Sequence, residues 1–205
     1  MFTANWHTMS NGITHRPLTG IILAGGKSSR MGHDKGQLLF RGKPLIRYAL
    51  DLLEPLCDHI LISANDKTYK VFGYPVVPDG ITGAGPLAGL SAALKNSHTH
   101  DNLVIPCDTP FLSRDLLDYL LCTVRDQKAV IPVHPDGRTE PLCGYYSTDI
   151  VPLIEKNLEK GKYKMTTLLE EARAFFLKMD ETLPFYTPRL FSNLNTPADL
   201  RNVER

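Results

Sequence analysis

Short apolar segments alternate with segments of helical periodicity along most of the chain. Residues 20–24, 59–63 and 103–105 are apolar runs with the length and composition of buried strands. Between them, apolar residues recur at three- and four-residue steps in residues 44–56 and 86–96, which predicts helices that bury one face. Strands that alternate with amphipathic helices predict an α/β fold of three layers, a doubly wound and mostly parallel sheet between two layers of helices.

Shorter patterns fill the gaps between these elements. Residues 38–40 are expected to be extended and to end in a turn, with Pro44 as the first helical residue after it. Residues 74–78 predict a second, shorter extended segment. Ser113 is placed to cap a helix that follows the strand at 103–105.

The second half of the chain adds a departure from the parallel pattern. Residues 129–133 and 139–146 flank an Asp-Gly turn, which predicts a small antiparallel, hairpin-like excursion. Residues 149–160 and 164–172 follow as charged amphipathic helices.

Composition limits the classes of function. The chain has 205 residues and a formal net charge of +1 with interspersed charges, which argues against a general nucleic-acid or membrane surface. We assign residues 18–205 to a single domain and the polar, aperiodic residues 1–17 to a flexible leader. Because no membrane-length apolar stretch or signal peptide is present, we expect a cytoplasmic protein. The cysteines lack zinc-site spacing and are expected to be reduced and mostly buried; they are Cys57, Cys107, Cys122 and Cys143.

The loop after the first strand has the composition of an anion site. Gly25 and Gly26 end the strand, and glycines allow backbone N–H groups to approach a ligand closely. The cations of the loop are Lys27, Arg30 and Lys35. The P-loop pattern does not fit, because position 21 would have to be glycine and is isoleucine. A glycine turn that binds nothing is the alternative, and the residues downstream decide between the two.

Those residues carry a resemblance to a known family. The sequence LAGGKSSRMGHDK at residues 23–35 resembles the LAGGxSxRMGxDK signature of the sugar-nucleotide-type nucleotidyltransferases. Within them the chain is most similar to the molybdenum cofactor guanylyltransferases, from about residue 19 to residue 200. The resemblance implies a Rossmann-like nucleotidyltransferase fold.

The resemblance implies roles for the glycine loop. Leu23, Ala24, Gly25 and Gly26 would bind the nucleotide, with the base near the first three. Arg30 and Lys35 would neutralise the triphosphate as pyrophosphate leaves, which makes them catalytic candidates.

Two further nucleotide contacts follow from the resemblance at the next strand ends. Family members carry an acidic residue before a G-P-L-x-G segment, which corresponds here to Asp79 and to the segment that begins at Gly85. A carboxylate suits the N1–H and exocyclic amine of guanine, but it could equally bind ribose hydroxyls. Asn65 is a third candidate, whereas Ser63 stands where the family often has asparagine, which leaves a contact there in doubt.

Asp108 is the metal candidate. It follows a strand too apolar to be exposed, where a carboxylate without a partner would be costly. Mg²⁺ binds through one or two carboxylates together with phosphate oxygens. The C-D-x-P motif of the family, here Cys107 to Pro110, implies that Asp108 holds Mg²⁺ and contacts the nucleotide. A simple helix or turn cap is the alternative, although Ser113 already serves the next helix.

The acceptor side rests on the resemblance alone. Arg138 and Glu140 lie in the excursion that shapes the acceptor pocket in family members. Asn193 and Asn195 match the family's N-x-N-T-P motif, whose asparagines lie near the metal and the acceptor phosphate. The following residues 196–199 resemble a capping box and need no other explanation.

The sequence therefore predicts a Mg²⁺-dependent transfer of GMP from GTP to the phosphate of molybdopterin cofactor. Molybdoenzymes or their chaperones are the expected protein partners, with no nucleic acid or membrane. A cytidylyltransferase acting on molybdopterin or another small phosphate is the first alternative; such relatives commonly have L-A-A-G where this chain has LAGG. A non-catalytic nucleotide-binding regulator is the second, and it would predict the loss of Lys35 or Asp108.

Overall fold

A seven-stranded sheet is the centre of the molecule. The computed structural model describes residues 16–25, 35–81, 83–195 and 199, without the side chain of Lys35. The strands of the main sheet are β1 (Leu18–Leu23), β4 (His59–Ser63), β5 (Val76–Val77), β6 (Asp101–Pro106), β7 (Ala129–Val133), β8 (Gly144–Ser147) and β9 (Phe175–Lys178). A separate antiparallel pair consists of β2 (Leu39–Phe40) and β3 (Lys43–Pro44).

The strand order places the loops that carry the candidate nucleotide and metal residues on one edge. Across the sheet the order is β5-β4-β1-β6-β8-β7-β9. Only β8 runs against its neighbours, since it pairs antiparallel with both β6 and β7. The carboxyl ends of the other six strands therefore lie at the same edge, where ligands bind in open α/β sheets.

Within the described ranges, five α-helices and three short 3₁₀ helices connect these strands. The α-helices are α1 (Leu45–Leu53), α2 (Pro86–Lys95), α3 (Arg114–Thr123), α4 (Val151–Glu159) and α5 (Met165–Glu171). The 3₁₀ helices are η1 (Lys35–Gln37), η2 (Lys67–Phe72) and η3 (Thr148–Ile150).

Two hydrophobic cores, one on each face of the sheet, confirm the three-layer prediction. The side chains of β1 alternate between them, with Ile22 in the first core and Ile21 and Leu23 in the second. Helices α1 and α3 pack on the first face, and α2, α4 and α5 pack on the second. All of these residues are buried because both faces of a mostly parallel sheet are covered.

Several local predictions were wrong in their bounds. Pro44 belongs to β3 and precedes the first helical residue, and α1 ends at Leu53 rather than continuing to residue 56. Residues 139–143 do not form a continuous strand: Thr139 makes an isolated bridge to Val133, and β8 begins only at Gly144. The hairpin-like, antiparallel relation of β7 and β8 is nevertheless confirmed.

Strands β3 and β9 and the 3₁₀ helices η1 and η2 were not predicted at all. Strand β9 lies at the edge of the sheet and exposes three of its four residues, so its sequence lacks the pattern of a buried strand. Helix η2 is a 3₁₀ segment of six residues, KTYKVF, without helical periodicity.

Two general expectations can also be compared with the structure. Two of the four cysteines, Cys107 and Cys143, are buried, whereas Cys57 and Cys122 are half-buried, and all four are free thiols. The described part of the chain contains no helix with the length and apolarity needed to cross a membrane.

Candidate active site

Main-chain hydrogen bonds extend beyond the ends of the central strands and hold their loops together. The Ala24 N–H donates to the Ser63 carbonyl oxygen at 2.9 Å, and the Cys107 N–H donates to the Leu23 carbonyl oxygen at 3.1 Å. The loops after β1, β4 and β6 therefore leave the sheet side by side, and Gly25 is exposed at this edge.

Asn65 and Asp79 meet next to this point. The Asn65 side-chain oxygen Oδ1 accepts the Asp79 backbone N–H at 3.1 Å. Both residues follow parallel neighbouring strands, β4 and β5, so the sheet brings together two candidates that are 14 residues apart. The bond uses the backbone of Asp79 and fixes the chain from which its carboxylate extends.

Two glycines lie at and near the start of α2, which packs against the end of β4. Gly85 precedes α2 with φ +65°, a left-handed conformation that favours glycine. Gly89 lies in the first turns of α2, where an added Cβ would be 2.8 Å from Ser63 Oγ. The close approach of α2 to the end of β4 thus depends on a glycine and on a small, buried residue at position 63, which is 3% exposed.

Asp108 lies two residues beyond β6 and is 9% exposed. The Leu194 N–H donates to the Asp108 carbonyl oxygen at 2.8 Å. Leu194 is itself buried in a small core with Phe40, Leu45 and the partly buried Phe111. Hydrophobic burial therefore anchors the late segment of the chain against the loop that carries Asp108.

This anchor sets the position of both candidate asparagines. Asn193 and Asn195 flank Leu194; the first is exposed and the second is half-buried. The Asn195 N–H donates to Asp199 Oδ2 at 2.9 Å. The capping-box prediction for residues 196–199 lies outside the described residues except for Asp199, whose carboxylate accepts from Asn195.

The turn between β7 and β8 is joined to the same segment. His134 Nε2 and Glu140 Oε1 are 2.7 Å apart, and the His134 ring packs edge-on against Phe191 with centroids 5.1 Å apart. Because Phe191 precedes Asn193 by two residues, Glu140 is connected to the asparagine segment through one histidine.

Arg138 takes part in a local ion pair instead. Its Nε donates to Asp136 Oδ2 at 2.7 Å within the same turn. Hydrogen bonds from the Arg138 side chain and backbone lower the pKa of the Asp136 carboxyl group below its usual value. Both side chains are largely exposed, so releasing Arg138 to a ligand would cost little.

The donor set suits a metal that arrives with a nucleotide. In the part of the chain that the structure describes, no group of three or more His, Cys, Asp and Glu side chains could hold a metal ion. A single carboxylate such as Asp108 fits the way in which Mg²⁺ is bound, through one or two protein ligands and phosphate oxygens. It does not fit a metal held in a protein cage.

The described residues include only part of the signature loop. Gly26 and Arg30 lie outside the described residues, as does the side chain of Lys35. The backbone of Lys35 begins η1, which follows the loop.

Sequence analysis missed the residues that connect the candidates to one another. Leu194, His134 and Phe191 belong to none of the motifs found in the sequence, yet they connect the asparagine segment to the Asp108 loop and to Glu140. An apolar residue between two asparagines was the available signal for Leu194, because a solvated loop has no need of it.

The doubly wound sheet, with its loops gathered at the carboxyl edge, places the molecule among the α/β proteins that bind ligands there. The family model for the MobA-like NTP transferase domain matches residues 20–177. The chain belongs to this family and is a nucleotidyltransferase, which confirms the resemblance found in the sequence.

Individual relatives cover nearly the whole chain. A probable molybdenum cofactor guanylyltransferase from Flavobacterium johnsoniae is 33% identical over 186 residues, 91% of this chain and 96% of that protein. The molybdenum cofactor guanylyltransferase of Yersinia pseudotuberculosis is 38% identical over 89% of this chain and 92% of its own. The crystal structure of molybdopterin-guanine dinucleotide biosynthesis protein A from Archaeoglobus fulgidus superposes with a TM-score of 0.76 at 27% identity, covering 91% and 96% of the two chains.

Proposed function

We propose that this protein transfers GMP from GTP to the phosphate of molybdopterin cofactor, giving the guanine dinucleotide form and pyrophosphate. The observation that carries the proposal is the 2.8 Å hydrogen bond from Leu194 to Asp108. This main-chain bond holds the segment that carries the candidate acceptor asparagines beside the loop that carries the candidate metal aspartate. A transfer between two phosphates requires the groups that bind them to be close together. The names of the relatives support GTP and molybdopterin as the two substrates.

The base of GTP would lie beside Leu23, Ala24 and Gly25 at the end of β1. Asp79 would accept hydrogen bonds from N1–H and the exocyclic amine of guanine through one carboxylate. The bond between Asn65 and the Asp79 backbone supports this assignment, because it fixes the chain next to the same strand ends. Gly85 would allow the start of α2 to approach the nucleoside.

The triphosphate would follow the backbone N–H groups of the glycine loop at Gly26. Arg30 and Lys35 would compensate its charge in the ground state and during departure of pyrophosphate. Asp108 would hold Mg²⁺, which when bound neutralises charge on the phosphate oxygens.

The acceptor would enter between the late segment and the β7–β8 turn. Asn193 and Asn195 would orient its phosphate, with Arg138 and Glu140 on the pterin side. A phosphate oxygen then forms a bond to the α-phosphorus of GTP while the bond to pyrophosphate breaks in line. The nucleophile is already anionic at neutral pH, so the residues act by positioning and charge compensation and no strong general base is needed.

A pyrophosphate-release assay with each of the four NTPs, with and without molybdopterin cofactor, tests the proposal. We expect release that requires GTP and the cofactor together, and that chelation of Mg²⁺ abolishes. Preference for CTP would instead establish the cytidylyltransferase alternative. Tight GTP binding without any release would establish a regulatory role.

A further inference from the structure

The connection between β4 and β5 touches both halves of the candidate nucleotide site. At its start, Asn65 Oδ1 accepts the Asp79 N–H at 3.1 Å, which is the base side. Further along, η2 packs against η1, the short helix that begins with Lys35. One segment of the chain therefore contacts both the base side and the phosphate side.

Helix η2 is held in place by a buried tyrosine and an N-terminal cap. Tyr69 at its centre is fully buried in the first core, in the same cluster as Ile46 and Ile62. Asp66 caps the helix by accepting the Thr68 N–H at 2.8 Å. A 3₁₀ helix has little stability of its own, so its position is set by this buried tyrosine and cap.

Helix η1 rests directly on that tyrosine. Gly36 is buried, and a Cβ built on it would collide with the Tyr69 hydroxyl oxygen and lie 3.0 Å from Cε1 and 3.1 Å from Cζ of the ring. Gln37 Nε2 also donates a hydrogen bond to Thr68 Oγ1. The backbone of η1 thus lies against the ring of Tyr69, and only glycine allows this separation.

We infer that Tyr69 and Gly36 are positioning residues for Lys35. Lys35 is adjacent to Gly36, and a turn of three residues cannot fix its own backbone without tertiary support. The contact with Tyr69 supplies that support and determines the position of the backbone from which the Lys35 side chain extends. The inference rests on the proposed function for the role of Lys35 toward phosphate.

A coupling experiment separates positioning from a purely structural role. The probe is the affinity for GTP without Mg²⁺, measured by calorimetry on wild type, Gly36→Ala, Tyr69→Leu, Lys35→Ala and the double variants with Lys35→Ala. A charge-assisted contact to phosphate corresponds to a loss of about tenfold or more in affinity. We expect Lys35→Ala, Gly36→Ala and Tyr69→Leu each to weaken binding by about tenfold, and the double variants to bind no more weakly than Lys35→Ala alone.

A matched control tests whether any buried glycine would behave in this way. Gly20→Ala places a Cβ 2.9 Å from Leu53 Cδ1 in the body of β1, away from η1. It should lower the melting temperature and leave the GTP affinity within twofold of wild type. Gly36→Ala/Tyr69→Phe removes the nearest clashing atom and should recover part of the affinity lost in Gly36→Ala.

The outcomes distinguish this inference from the proposed function. Two results would overturn this inference and leave the proposed function intact. In the first, Gly36→Ala and Tyr69→Leu lower the GTP affinity by the same factor with and without Lys35. In the second, these two variants bind GTP as tightly as wild type. If Gly36→Ala does not fold, Tyr69→Leu and the Gly36→Ala/Tyr69→Phe protein decide by the same criterion. The proposed function would fail in a different way, if the wild-type protein bound CTP but not GTP. In that case the coupling between Lys35, Gly36 and Tyr69 is measured with CTP.

Discussion

Asp108 and Lys35 have different predicted roles, and their variants should fail in different ways. Asp108→Asn keeps the shape of the side chain but removes the charge assigned to Mg²⁺. Because one electrostatic contact directed at a transition state is typically worth about 10²–10³ in rate, turnover should fall at least that far. GTP binding measured without Mg²⁺ should change little.

Lys35→Ala should instead weaken GTP binding with or without Mg²⁺, since the lost charge also acts on the bound ground state. Steady-state kinetics and calorimetry on both variants are the measurements. Near-normal turnover of Asp108→Asn in saturating Mg²⁺ would refute the metal assignment and make Asp79 the next residue to test.

Gly89 shows how closely α2 approaches the end of β4. In Gly89→Ala the new Cβ would lie 2.8 Å from Ser63 Oγ, and such overpacking costs typically about 1–3 kcal/mol of stability. In a Ser63→Ala background the next nearest atoms, Leu23 Cδ2 and Ser63 Cβ, are 4.0 Å away. In that background Gly89→Ala should raise the unfolding free energy by about 0.5–1 kcal/mol, because alanine has a higher helix propensity than glycine.

Denaturant unfolding of the two single variants and the double variant measures this reversal of sign. If Gly89→Ala lowers the unfolding free energy by the same amount with and without the Ser63 hydroxyl, the close contact is not the reason for glycine at this position.

At the scale of elements, the segment around Leu194 packs over the small core that Leu194 forms with residues of β2 and α1. Its position depends on the burial of one leucine, which is 1% exposed, and on the hydrogen bond to Asp108. A loop held mainly by one side chain should lose its alignment when that side chain is shortened.

Leu194→Ala should therefore affect the acceptor more than the nucleotide. We expect a loss of about 2–5 kcal/mol in unfolding free energy, together with a raised KM for molybdopterin cofactor and little change in KM for GTP. Leu168→Ala is the matched control, because Leu168 is fully buried in the second core and should cost similar stability without altering either KM. Equal effects of the two variants on the acceptor KM would contradict the positioning role of Leu194.

At the scale of the whole molecule, the edge opposite the candidate site carries a second polar cluster. A cavity of about 420 Å³ there is lined by Arg16, Pro17, His98, Thr99, His100 and Asp101. His100 Nδ1 lies 2.7 Å from Asp101 Oδ1, and its Nε2 lies 3.2 Å from Asp149 Oδ2 and 3.0 Å from Ser147 Oγ. The imidazole thus connects the start of β6 to η3 and the end of β8.

The charges around His100 determine how stability should vary with pH. The hydrogen bond with Asp101 raises the pKa of His100 above its ordinary value against the opposing effect of burial, and Asp149 adds to the rise. Tyr145 OH also donates to Asp101 at 2.7 Å, and Arg16 lies 3.9 Å from the same carboxylate. A raised folded-state pKa means that the stabilisation is complete below the unfolded pKa and is lost as pH rises through the folded value.

Wild type should therefore melt at a higher temperature than His100→Gln near pH 6, and the difference should shrink toward about pH 9. His98→Gln is the control, since His98 lines the same cavity and makes no ion pair with any described residue. A difference for His100→Gln that stays constant with pH would mean that its protonation does not contribute.

The sequence was sufficient for the layers of the fold because periodicity reports burial. The continuous apolar run of β1 predicted a strand buried in the sheet, and the spacing of α1 predicted one buried helix face; both were confirmed. Strand β9 was not predicted, because an edge strand that exposes Phe175 and Phe176 lacks the apolar pattern of a buried strand. The division of the chain at residue 18 stays a prediction.

For the candidate site, local sequence supplied the residue types and the fold supplied their neighbours. Asp79, Asp108 and the asparagines at 193 and 195 stand out because a polar group after a buried strand, or beside a known motif, is chemically conspicuous. No spacing rule predicts that Asn65 bonds to Asp79, since that contact exists only because β4 and β5 are parallel neighbours. The roles of these residues in catalysis stay predictions.

The sequence by itself determined the α/β class, the strand ends that carry the candidate residues and the nucleotidyltransferase signature, because each depends on residues close together in the chain. Only the tertiary structure decided that Leu194 lies against Asp108 and that Tyr69 lies beneath Gly36. These contacts join residues 86 and 33 positions apart. They depend on packing in three dimensions, which local periodicity does not encode.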